Sequence, residues 1–165
     1  MKIYRYCYKL KTYQLVVLGI LLPFIFDLII NVLYDYLNIT GNPVDDEQLR
    51  VTIPTLVAMI SFGPLIETLF FQYLPLKIGH DLFKRYKYHY YIIILLSSII
   101  FAAVHPHEPA YLTAMLFAGL IWSFICLIFI RKKQYPVLYL TLIHAGYNCI
   151  MLIGRMFMLD FNLIK

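Results

Sequence analysis

Five polar residues within or at the ends of the long apolar stretches of this sequence call for explanation: Asp27, Glu67, His105, His144 and Asn148. A carboxylate or imidazole in hydrocarbon costs a few kcal/mol, about 2.5–3.5 for Asp on insertion scales, so each such group needs a partner or a chemical role. Asp27 is followed one turn later by Asn31, a spacing that supplies a local partner or a contact between helices. Glu67 lies in GPLIETLFFQYLPL, with Pro64 a turn earlier to loosen the backbone. A carboxylate so placed is a candidate general base that takes a proton from water. FAAVH ends an apolar run at His105, and HAGYN sets His144 and Asn148 one turn apart on one helical face. One buried His is more often structural. One Glu, two His and one Asn on three separate helices can hold a water molecule and donate hydrogen bonds to a developing oxyanion.

The elements that must bring these residues together are membrane spans. Of the 165 residues, 62% are hydrophobic and 14% charged, with a mean hydropathy of +0.75, more apolar surface than a water-soluble domain of this size buries. The apolar runs predict an all-α, polytopic transmembrane bundle of about five spans, at 14–37, 51–76, 90–104, 110–130 and 136–159, in a single membrane domain over 1–165. The basic amino terminus followed by a long apolar run resembles an export signal without a small-residue cleavage site, so it is expected to stay attached as the first span. Lys2, Arg5, Lys9 and Lys11, then Lys77, Lys84, Arg85 and Lys87, then Arg131, Lys132 and Lys133 all fall on one side of such a bundle. Arg50 and Arg155 stand apart from that pattern, and Asp45, Asp46 and Glu47 fall on the opposite side. The positive-inside rule then places the amino terminus in the cytoplasm and the carboxyl terminus outside. The net charge of +5 is explained by these flanking clusters, and no nucleic-acid partner is expected. Cys7, Cys126 and Cys149 have no CxxC spacing and read as small apolar residues. The loop KIGHDLFKRYKYHYY, with its Tyr and cations, suits the headgroup region as an interfacial anchor.

The ordered set E-x4-Q, F-x3-H and H-x3-N, from about Pro54 to Asn148, resembles the CPBP intramembrane proteases. That family includes the Ras-converting CAAX endopeptidases and the bacterial bacteriocin-immunity (Abi) proteins. The resemblance implies an intramembrane glutamic endopeptidase in a bacterial plasma membrane, with Glu67 and His105 activating a water and His144 and Asn148 binding the oxyanion. Its substrate would be a membrane-associated protein or peptide, in contact with the lipid bilayer. The family's first motif is usually Glu-Glu-x-x-x-Arg, whereas this chain has Glu67, Thr68 and then Gln72. Losing both charges of a pair together avoids a buried unpaired charge worth about 3–5 kcal/mol, so Thr68 and Gln72 are expected to form a neutral, hydrogen-bonding supporting pair.

No cofactor is expected. The alternative is zinc on Glu67, His105 and His144, with His107 a further ligand in principle, and it ranks second because no HExxH helix is present. His107 and Glu108 are expected as solvated residues of a turn. Rival functions are a catalytically inactive family member that binds or confers immunity, for which Thr68 and Gln72 speak, and an ion or proton carrier using the same groups as a relay. One geometric demand remains. At 1.5 Å per residue Glu67 and His144 lie about 12–14 Å from the basic side and His105 about 22 Å, so a common site requires tilt or displacement.

Overall fold

The computed structural model describes residues 2–39, 53–105 and 109–160, all of its regular structure helical. Helix α1 is Lys2–Lys9 and α2 is Thr12–Tyr36. Helix α3 is one continuous run assembled from Ile53–Val57, Gly63–Glu67 and Leu74–Phe83, with π-helical turns at Ala58–Phe62 and Thr68–Tyr73 between them. It is followed by α4 (His89–Ala103), α5 (Pro109–Arg131) and α6 (Pro136–Asp160). Asp45, Asp46, Glu47, Arg50, His107 and Glu108 lie outside the described residues.

Helices α2, α3, α5 and α6 are long and apolar enough to cross a membrane, and α4 is a shorter apolar helix of 15 residues. The protein is a helical membrane bundle. Two boundaries differ from the sequence expectation. The second span does not stop at Leu76 but continues to Phe83, because no Pro follows Pro75 before the turn at Lys84 and Gly79 is held by close packing against Ile93 of the next helix. Half of the basic, Tyr-rich loop is therefore helix. The amino-terminal basic segment, expected only as a flank, also folds, and Tyr4 of α1 packs edge-on against Phe124 of α5.

Helix α5 is central, with Ala118, Trp122, Cys126, Ile128 and Phe129 fully buried. It approaches α4 closely because Gly119 carries no side chain: a Cβ there would stand 3.0 Å from the Ser98 Cα. Small residues permit such approaches where no hydrophobic force drives helices together in lipid. Gly119 and Ser123 thus pack helices within this chain, Ser123 through a 3.0 Å bond to Ser97.

Three prolines interrupt the spanning helices, and each frees a carbonyl that receives a side-chain donor from another helix. Pro23 has no N–H for the Gly19 carbonyl, which instead accepts from the Trp122 indole at 2.9 Å. In the π turn before Pro64, the Gly63 N–H donates to Ala58, five residues back. The next bond of that pattern would run from Pro64 to Met59, and the Met59 carbonyl accepts from the Asn148 amide at 2.7 Å instead. The π turn before Pro75 ends with the Leu74 N–H on Leu69, so the missing Pro75 donor and the return to α-helical spacing strand the Phe70 and Phe71 carbonyls, and Phe71 accepts from the Ser97 hydroxyl. Neighbouring side chains replace the missing backbone donors, as a dry environment demands.

Candidate active site

Glu67 ends the short α-helical segment between the two π turns of α3. Irregular turns of this kind shift the rotation of a helix and often occur at functional positions. Gly63 is required one turn earlier, since a Cβ there would lie 2.9 Å from the Ala58 carbonyl oxygen that its own N–H bonds.

Two imidazoles converge on the Glu67 carboxylate: His105 Nε2 lies 3.4 Å from Oε2 and His144 Nε2 lies 3.6 Å from the same oxygen. The His105 side chain removes part of the depth conflict read from the sequence. Leu76, Tyr90 and Pro136 line one cavity, so the starts of α4 and α6 are level with that turn of α3. The His105 imidazole folds back along α4 until Nδ1 is 2.7 Å from the Phe101 carbonyl. That fold-back makes the ring shallower by a few Å, less than the ~5.4 Å of a full turn, and helix tilt supplies the rest.

A carbonyl only accepts, so the Phe101 bond places a proton on His105 Nδ1 and turns Nε2 toward Glu67. His144 is fixed differently. Its ring packs 4.3 Å from Trp122 and edge-on to Phe101 at 5.8 Å, leaving its side chain 5% exposed against 27% for Glu67. The site therefore opens on the Glu67 side and is closed behind His144.

Asn148 is one turn beyond His144, with one amide N–H engaged by the Met59 carbonyl. An amide nitrogen has a second hydrogen to offer. Thr68 and Gln72 are wholly buried on α3, but the expected hydrogen bond between them does not form. Neither Thr68 Oγ1 nor the Gln72 amide has a partner among the described residues. Asp27 is buried in α2, and Asn31 donates to its main-chain carbonyl at 2.9 Å.

Zinc on Glu67, His105 and His144 is the alternative that the sequence leaves open. Both imidazole nitrogens address one carboxylate oxygen, and no group of three or more His, Cys, Asp or Glu among the described residues is arranged to hold a metal ion. Sequence reasoning named Phe101 only as the first residue of F-x3-H, and it missed Trp122, whose ring packs against Phe101, and Tyr111, whose ring stands 6.2 Å from His105. The signal was the aromatic content of the apolar run that became α5.

Residues 49–150, more than half of the chain, match the family model of type II CAAX prenyl endopeptidases, Rce1-like. The chain belongs to this family. No curated protein and no solved structure gives a match. The Rce1-like region begins after α2, and it contains Glu67, His105, His144 and Asn148 together with α3, α4, α5 and α6 as far as residue 150. Family membership makes this an integral membrane protein of a protease family, whose surroundings are the bilayer and a protein substrate.

Proposed function

We propose that this chain is an intramembrane endopeptidase of the glutamic type, and the observation that carries the reading is the convergence of His105 and His144 on Glu67 Oε2. Separations of 3.4 and 3.6 Å exceed those of short hydrogen bonds, so the carboxylate is oriented by its neighbours without being locked to them. Glu67, held by protonated His105, takes a proton from water as the water oxygen bonds to the scissile carbonyl carbon. Electrons of the carbonyl bond move to its oxygen, where the His144 Nε2–H and the second Asn148 N–H donate. Glu67 then returns the proton to the departing nitrogen as the C–N bond breaks. No step passes through a metal.

The basic ends of the bundle face the cytoplasm in this proposal, of a bacterial plasma membrane, and the carboxyl terminus lies outside. The substrate is a membrane-associated protein or peptide. A second reading, a catalytically silent membrane binding or immunity protein of Abi type, is favoured by the loss of both charged partners at Thr68 and Gln72. A binding role does not by itself require four polar groups in lipid, which is why the protease reading stands first.

The test compares peptides released from membranes carrying the wild type, Glu67→Ala or His144→Ala, by mass spectrometry with and without a zinc chelator. Products lost in both variants and insensitive to the chelator support the glutamic mechanism. Loss on chelation transfers the assignment to zinc, and identical peptide profiles for wild type and variants overturn the protease reading.

A further inference from the structure

A cavity of about 360 Å³ opens at the end of the bundle that carries the basic clusters, between α1, α5 and the start of α4. Its upper wall holds Lys87 and Arg131, and its floor includes Ile94 and Phe124. Both cations lie against aromatic faces: Lys87 Nζ stands 5.3 Å from the Tyr88 ring centre, and the Arg131 guanidinium 4.8 Å from that of Tyr90. Among the described residues no carboxylate lines the cavity. Two cations therefore face a concave space without an internal counter-charge, above an apolar floor that continues into spanning helices.

The volume lies within the range of small-molecule sites, about 300–1,000 Å³. Basic pockets between spanning helices at the end of a bundle recognise lipid headgroups, and Tyr rings suit the same depth. We propose that this cavity binds an anionic phospholipid, with Lys87 and Arg131 on the phosphate and the first acyl methylenes on Ile94 and Phe124. The charge of the wall selects an anionic headgroup over a zwitterionic one. The apolar floor selects a lipid over free phosphate. Helix α1 closes one side through Tyr4, so bound lipid fastens the amino-terminal helix to α5.

Native mass spectrometry of the full chain tests this, using phosphatidylglycerol, phosphatidylcholine and inorganic phosphate as probes. The wild type is expected to retain phosphatidylglycerol about tenfold better than phosphatidylcholine, equivalent to about 1.4 kcal/mol. Lys87→Gln/Arg131→Gln is expected to lose that preference, and Lys84→Gln, which removes a nearby charge that does not line the cavity, to keep it. Lys87→Gln alone, in an exposed turn, reports even if the double variant folds poorly, with an expected loss of at least threefold. Unchanged preference in the Lys87 variants, an equal loss in Lys84→Gln, or binding of inorganic phosphate at equal strength would each overturn the proposal.

Discussion

Asn148 offers a direct test of how α3 is held. Its amide donates to a Met59 carbonyl whose π-helical donor would have been Pro64, at 2.7 Å. Replacing Asn148 by Ala leaves that carbonyl without a donor. Hydrogen bonds between spanning helices average about 0.6 kcal/mol and reach about 1.7, while a stranded buried polar group costs about 1–3 kcal/mol. Met59 is partly exposed, so about 1 kcal/mol is expected, roughly a fivefold change in the unfolding equilibrium. Pro64→Ala restores a backbone N–H and lets the ladder close. In that background Asn148→Ala should cost close to nothing, giving a coupling energy of about 1 kcal/mol. The four proteins can be compared by reversible unfolding of the purified chain in mixed micelles. Independent sites add to within about 0.3–0.5 kcal/mol, so an equal cost of Asn148→Ala in both backgrounds would refute the account of Pro64.

Glu67→Gln keeps shape and removes the base, and peptide release should fall to background while the unfolding midpoint is nearly unchanged. His144→Ala should lower the rate of the same release about 100-fold to 1,000-fold, the usual effect of losing an oxyanion donor, measured at saturating substrate. Ser97→Ala strands the Phe71 carbonyl and should destabilise by about 1 kcal/mol, with Ser123→Ala adding less than its own separate cost because the two hydroxyls share a bond. Gln72→Met retains volume and removes an unpartnered buried amide, so stability measured in the same way should be unchanged or higher by about 1 kcal/mol.

The spans and the polar residues that approach one another were legible because lipid makes both conspicuous: apolar runs are long, and Glu67, His105 and His144 stand out within them. The unread part was local backbone geometry. Pro64 and Pro75 announced irregularity, but nothing in the spacing of Thr68 and Gln72 revealed that π turns would flank Glu67 or that both side chains would be buried without a partner among the described residues. Counting 1.5 Å per residue located the His105 Cα but not its ring, which folds back to the Phe101 carbonyl. The packing of Trp122 and Phe101 around His144 depends on contacts between α4, α5 and α6, and one-dimensional periodicity carries no such information.

The proline contacts have a consequence for sequence drift. Gly19, Met59 and Phe71 each contribute a main-chain carbonyl, which any residue supplies, so their side chains are free to vary as far as these bonds are concerned. The constraint instead ties Pro23 to Trp122, Pro64 to Asn148 and Pro75 to Ser97, pairs that are distant in the chain and do not bond to each other. A relative that lost one of these prolines would regain a backbone donor and release the matching Trp, Asn or Ser from that duty. Among such relatives the Asn opposite Pro64 is informative, because one that persists after the proline is gone must be retained for a reason other than holding the helix.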